Sequence, residues 1–259
     1  MRIKMKTMLS LATISAGLFT GIAGADQWCL TYDGYGSNVK VGLSFDASKL
    51  WNSATRTSFS GVNVGEHKFH DGSLNYSTFC VQLFEGVTPG ETVCFDVVGV
   101  ANVPDAPPAP GPMGAIAATL VHDLYWRFYN TVIDTAQAAA DRDRNCSAFG
   151  IALYEITHEN FVAGDAATAA SQANLFAGAF QANANNSKTA ANDAVSLADQ
   201  MLAALGLGGF HYFGAGLQGL TNPTRQDQLI VVPVPAVAGL GLAGLAIGGV
   251  LRRRFSKKA

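Results

Sequence analysis

The sequence is poor in charged side chains and lacks the short motifs by which many enzymes are identified. Only 14% of the 259 residues are charged, the formal net charge is −2, and no basic stripe is interleaved with aromatic residues, which argues against nucleic-acid binding. No G-x-S-x-G elbow, phosphate-binding loop or dinucleotide fingerprint occurs. We therefore expect a protein that is not an enzyme and holds no cofactor.

The N-terminus has the three parts of a secretory signal peptide. Basic residues within 2–6 precede an apolar run from Met8 to Ile22, and the A-x-A cleavage pattern follows at 23–25. Residues 1–25 are therefore predicted to be removed on export, with Asp26 as the mature N-terminus.

The C-terminus has the features of a membrane-spanning tail, residues 231–259. The stretch Val231 to Leu251 is uncharged and apolar over roughly 20 residues, which is enough to cross a bilayer as a helix. A basic cluster follows at once, made of Arg252, Arg253 and Arg254. Because such clusters stay on the cytoplasmic side, the preceding domain is predicted to lie outside.

The region between these ends, residues 26–230, is predicted to form one α+β domain. Residues 26–103 and 210–230 are predicted as β, 113–205 as helical, and the proline-rich 104–112 as a linker. This order predicts a β-rich, sandwich- or barrel-like domain with a helical insertion, between a signal peptide and a C-terminal transmembrane helix.

Local patterns place individual elements within this domain. Val39 to Phe45 is predicted as a strand, and Phe79–Phe84 and Thr92–Val100 as a hairpin around a Pro-Gly turn. A second helix is predicted over 134–159, and the Ala-rich 165–205 is predicted to break at 183–187. In the first helix an apolar face is predicted from residues spaced at helical intervals: Ile116, Leu120, Val121, Leu124, Trp126 and Phe128.

Candidate metal-binding and polar residues are few. Glu66, His67 and His70 form an H-x-x-H pattern on a predicted loop, but no third ligand is evident, so an ordinary solvated loop is favoured and no metal is expected. His122 and Asp123 are interpreted as surface or satisfied interior groups. The four cysteines contain no C-x-x-C pair, lie in the exported part where disulfides form, and allow three full pairings: Cys29, Cys80, Cys94 and Cys146.

The tail resembles a PEP-CTERM sorting signal. Pro233 and Pro235 precede a Gly/Ala/Leu-rich span and then the arginine cluster, which is the order of that family, with Pro-Val-Pro in place of Pro-Glu-Pro. The resemblance implies cleavage near these prolines by an exosortase-type membrane protease. It also implies anchoring by the C-terminal helix before sorting, and a location at the cell surface or outside the cell afterwards.

Three segments of the domain resemble a bacterial thioester domain of the surface-adhesin type: SLNYSTFCVQL, SAFGIALYEITHEN and LQGLTNPTRQDQ. In that family a strand cysteine bonds to a helix glutamine. Cys80 matches the cysteine, Gly150 stands at the glutamine position, and Tyr154 replaces a tryptophan. Since glycine has no side-chain carbonyl, Cys80 and Gly150 are expected to be equivalent positions that form no thioester.

The same resemblance implies a disulfide pairing. It brings the position of Gly150 against Cys80, and Cys146 lies four residues before Gly150 on the same helical face. A Cys80–Cys146 disulfide is therefore predicted, which leaves Cys29 and Cys94 to pair. The competing pairing joins Cys80 to Cys94 across the predicted hairpin.

The favoured interpretation is an exported cell-surface or extracellular-matrix protein with a non-covalent, adhesin-like domain. Its expected partners are an exosortase-type protease, the membrane and a surface or matrix polymer. Two rivals remain open: a secreted enzyme or metal-binding module with an unrecognised site, and a structural matrix component without a specific ligand.

Overall fold

A computed structural model describes residues 27–48, 56–72, 74–184 and 188–232. The expected α+β fold is confirmed, as one antiparallel sheet of seven strands packs against four helices. The strands are β1 (Gln27–Asp46), β2 (Arg56–Asp71), β3 (Leu74–Cys80), β4 (Thr92–Val98), β5 (Phe180–Asn183), β6 (Leu217–Asn222) and β7 (Arg225–Val231). The helices are α1 (Gly114–Val132), α2 (Ala139–His158), α3 (Ala166–Gln172) and α4 (Thr189–Ala203), with a 3-10 turn at Val100–Asn102.

Six of the seven strands form a closed ring. The hydrogen-bonded order runs β2–β3–β7–β6–β4–β1, and a further pairing of β1 with β2 completes the circuit. The length of β1 makes this closure feasible, since Thr31 pairs with Thr92 of β4 on one side and with His70 of β2 on the other. The far end of β1 also pairs with β5.

Two hydrophobic clusters result from this arrangement. Alternate residues of a strand point to the same face, and those facing into the ring pack together: Leu30, Tyr32, Phe69, Val93, Phe95, Leu220 and Ile230. The larger cluster joins the other face of the sheet to the helices, and α2 lies at its centre with every residue from Cys146 to His158 buried.

The helical pattern in α1 predicted its core face well, apart from one residue. Leu120, Val121 and Leu124 are fully buried. Trp126 was expected on the same face, but its side chain is 50% exposed. Two residues after Leu124, it lies on the opposite side of the helix, where its ring stacks on His211.

Several predicted boundaries and pairings were wrong. The Pro-Gly turn exists, with Gly90 at a φ of +86°, but β3 and β4 do not form a hairpin. Ring closure pairs β3 with β2 and β7, and β4 with β1 and β6. The second helix begins at Ala139 rather than 134, and β5 interrupts the region expected to be helical. Within the region 210–230 that was predicted as β, β6 and β7 pair antiparallel.

The signal peptide and the sorting tail lie outside the described residues, apart from the first two residues of the predicted span. Of these, Val231 is the last residue of β7. Among the helices that the structure does describe, none is both long enough and apolar enough to cross a bilayer.

Candidate functional site

The structure brings together the two segments that carry Cys80 and Gly150. Cys80 is the last residue of β3, and Gly150 lies in the middle of α2. The rings of Phe79 and Phe149, which directly precede them, have centroids 4.8 Å apart. Tyr154, one turn after Gly150, hydrogen-bonds to the Cys80 thiol. The strand motif and the helix motif therefore meet in the core.

The Cys80 thiol is poorly suited to act as a nucleophile. Its Sγ donates to the carbonyl oxygen of Gln82 at 2.9 Å, and the side chain is buried. Burial raises the pKa of the Cys80 thiol to about 12, and hydrogen bonds from Tyr154 and Gln82 offset only part of that rise. Because the thiolate is the reactive form, almost none is present at neutral pH.

Gly150 lies where α2 packs tightly against β2. A Cβ at this position would lie 2.9 Å from Cγ1 of Val64 and 3.3 Å from the backbone nitrogen of Gly65. Contacts this short require a neighbour to move. The glycine therefore has a packing role, and a glutamine side chain there would need the α2–β2 interface to open.

The nearest glutamines already have partners. Gln228, which pairs with Cys80 across β3 and β7, accepts a hydrogen bond from Thr78 and donates one to the carbonyl of Gln226. The side-chain oxygen of Gln82 accepts the backbone N–H of Asp227. Both carbonyls are thus held in the hydrogen-bond network of the sheet.

The cysteine pairing differs from the main prediction. Cys29 and Cys94 form a disulfide because they are direct register partners on β1 and β4, so the expected pairing of these two is confirmed. The Cys80–Cys146 disulfide is wrong, since both thiols are free and buried. Cys146 instead donates to the carbonyl of Val132 at the end of α1.

The H-x-x-H residues lie on β2 rather than on a loop, and their side chains do not converge on one site. Glu66 is fully buried and accepts from Arg142 of α2 at 2.9 Å. His67 is buried, which lowers its pKa to about 4. His70 lies 2.8 Å from Asp33. No group of three or more His, Cys, Asp and Glu side chains in the described part of the chain is arranged to hold a metal ion.

Sequence patterns did not distinguish the carboxylate of Asp227, which is fully buried near the start of β7 and interacts with the half-buried Asp105. Asp227 accepts the backbone N–H of Asp105 and that of Asn222. Burial raises the pKa of Asp227 to about 7, and the Asp105 and Glu85 carboxylates add to the shift. No local motif signals this pair, because their 122-residue separation is closed only by the fold.

Asp123 is a satisfied interior group, as one of the two sequence interpretations held. Its carboxylate accepts from Arg127 at 2.8 Å, from the backbone N–H of Gly206 and from both the backbone and the ring of His211. Burial opposes ionisation, but these hydrogen bonds outweigh it and lower the pKa of Asp123. They fix the segment after α4 onto α1.

That segment borders a surface groove beside α1. The groove has a volume of about 430 Å³ and is lined by residues from α1, from the 3-10 turn and from the segment around Tyr212. Sequence analysis missed it because its walls come from three separate parts of the chain. The sorting residues Pro233 and Pro235 and the arginine cluster lie outside the described residues.

Comparison with known proteins gives no relative: no protein-family model, curated protein or solved structure matches this chain.

Proposed function

We propose that this protein is an exported cell-envelope domain that binds a surface or matrix polymer non-covalently and forms no internal thioester. The observation that carries the proposal is the Cys80–Gly150 region. The thiol there is buried and protonated, and the residue opposite offers a close-packed backbone instead of an acyl group.

Export is supported by the Cys29–Cys94 disulfide. Stable disulfides are typical of proteins that fold in oxidising compartments, and this one links β1 to β4 within the ring. It is consistent with the signal-peptide pattern at 1–25 and with the sorting-type tail at 231–259. We infer that the chain crosses the inner membrane, is held by its tail and is then processed by an exosortase-type protease.

Non-covalent attachment, as opposed to attachment through a thioester, is supported by the chemistry of the site. A thioester needs a thiolate and a glutamine carbonyl within bonding distance, and the described residues present a neutral thiol and glutamines bound elsewhere. The thioester-like architecture would then serve as a scaffold whose exposed surface does the binding.

The proposal is tested by fractionating cells that express the full chain. The expected result is that the protein is found in the envelope or matrix fraction and is released at its unmodified mass by boiling in detergent. Cys80→Ala should be retained equally well. High-mass conjugates that resist boiling and vanish in Cys80→Ala would refute the proposal, as would a protein found in the cytoplasm.

Processing is tested by replacing the three residues Arg252, Arg253 and Arg254 with alanine. We expect an uncleaved or mislocalised form, because the resemblance assigns this cluster to recognition. Alanine at Lys257 and Lys258 is the matched control and should leave processing unchanged. Normal processing of the arginine variant would show that the tail is not a sorting signal of this type.

A further inference from the structure

The groove beside α1 has the properties of a ligand site. Its volume of about 430 Å³ falls in the range of small-molecule sites, which combine apolar walls with a few polar groups. The walls include Ala118 and Phe210, and the polar groups are Thr119, His122 and His211.

Exposed aromatic rings stand at this groove. The Tyr212 side chain is 66% exposed, and its ring centroid lies 4.1 Å from that of His122 at an interplanar angle of 36°. His211, on the same wall, stacks on Trp126 with centroids 3.6 Å apart and the planes 7° from parallel. Trp126 is itself half exposed. Large aromatic side chains left open to solvent in one place indicate a contact surface.

The rings are held in place before any ligand arrives. The buried Asp123 carboxylate accepts from the backbone of His211 and Gly206. Arg127 adds hydrogen bonds to the carbonyls of Leu207 and Gly209. Because α1 already holds the segment after α4 in place, ligand binding would not have to order that segment. Sites that are ordered before binding bind more tightly because they lose less conformational entropy.

The charge of the groove narrows the ligand class. No Asp, Glu, Lys or Arg is among the described residues that line it. Burial lowers the pKa of His122, so its ring is neutral at neutral pH. Its Nδ1 atom is buried and has no hydrogen-bond partner among the described residues. A phosphate or sulfate ligand is typically held by cationic groups, and the described residues contain no group of three or more His, Cys, Asp or Glu side chains that could hold a metal ion.

A peptide that binds by strand addition is also disfavoured. That mode needs an open sheet edge, whereas the lining residues of this groove come from α1, the 3-10 turn and the segment after α4. A pyranose ring matches this combination of aromatic rings and neutral polar groups. One of its faces consists of C–H groups that stack on an aromatic ring, and its rim carries neutral hydroxyls that hydrogen-bond to Thr119 and imidazole groups.

We propose that this groove, with Tyr212 as its stacking platform, binds a sugar unit of a neutral polysaccharide. The inference rests on the proposed function, because it names the polymer class and the site through which the envelope domain is retained.

The test is affinity electrophoresis of the full-length protein, solubilised in detergent, through gels that contain one polysaccharide each. The neutral probes are laminarin, hydroxyethylcellulose, dextran and galactomannan, and alginate is the anionic probe. We expect at least one neutral polymer to retard the protein. Tyr212→Ala should weaken the association by about three- to tenfold, the range that an aromatic stacking contact provides.

Two variants serve as controls. Tyr212→Phe keeps the ring and should bind nearly as well as the unmodified protein. Phe176→Ala removes another aromatic side chain that is 63% exposed but lies outside the groove, and it should bind normally. Circular dichroism should show all three variants to be folded, since neither Tyr212 nor Phe176 belongs to the core.

The outcomes separate this inference from the proposed function. Binding that is unchanged in Tyr212→Ala, retardation by alginate alone, or no retardation by any probe would overturn the groove as a neutral-polysaccharide site. If the same protein preparations still associate non-covalently with the envelope fraction, the proposed function is retained and only the groove is rejected as the ligand site. If that association is also absent, the proposed function and the ligand site are both rejected.

Discussion

Gly150 offers a direct test of how closely α2 packs on β2, through the single change Gly150→Ala. The added methyl group would lie 2.9 Å from Cγ1 of Val64 and 3.3 Å from the nitrogen of Gly65. Neither neighbour moves easily, because Val64 is only 2% exposed and the nitrogen belongs to the backbone of a strand.

Two opposing contributions set the size of the effect. Overfilling a packed core costs about 1–3 kcal/mol, whereas replacing glycine by alanine inside a helix returns about 1 kcal/mol. Gly150→Ala should therefore lower the free energy of unfolding by up to about 2 kcal/mol. In a Val64→Ala background the closest methyl group is gone while the 3.3 Å contact with the Gly65 nitrogen remains, so the same change should be less destabilising by about 1 kcal/mol or more.

The assay is urea unfolding of the four proteins of this cycle, followed by circular dichroism under non-reducing conditions. Val62→Ala, on the same strand two residues earlier, is the matched background in which the destabilisation by Gly150→Ala should not be reduced. If Gly150→Ala has the same sign and size in the Val64→Ala background, the close approach of α2 to β2 is not real. The explanation for the glycine would then fail.

Three further outcomes are expected. Replacing Cys29 and Cys94 with alanine should destabilise the domain by about 4 kcal/mol in urea, from the chain entropy of closing a 65-residue separation; a loss below about 1 kcal/mol would contradict this role. Because the pKa of Asp227 is raised, its carboxyl group is protonated in the folded state and ionised in the unfolded state between about pH 4 and 7. Unfolding free energy should therefore fall as pH rises through this window, and Asp105→Asn should flatten the dependence; an equally steep dependence in that variant would refute the coupling. N-terminal sequencing of exported protein should give Asp26, and an uncleaved start in the exported fraction would exclude the signal peptide.

Local sequence patterns predicted the elements better than their partners. The apolar spacing of Leu120 and Leu124 identified the buried face of α1 because helical periodicity is a local property. The Pro-Gly turn before β4 was also predicted, but its flanking strands were paired wrongly. Strand partners depend on ring closure by β1, a long-range property that no turn motif encodes.

The same distinction applies to the candidate sites. The meeting of the Cys80 and Gly150 segments was implied by the resemblance to a thioester domain, and the structure places those segments in contact. The free thiols of Cys80 and Cys146 were not predictable. Helical spacing indicates the side of α2 on which Cys146 lies, but it does not give the distance between Cys146 and Cys80 that a disulfide requires. The exposure of Tyr212 could not be predicted from the sequence either. It depends on Asp123, which holds a segment more than 80 residues away through a hydrogen bond to His211.

The intact mass of the exported protein, measured without reductant and again after incubation with methylamine, tests the central claim most directly. We expect the mass of the processed sequence less two hydrogens for the Cys29–Cys94 disulfide, unchanged by methylamine, because Cys80 is a buried thiol and Gly150 carries no acyl group. A mass lower by one further ammonia, together with addition of methylamine that is lost in Cys80→Ala, would show a thioester and contradict the account.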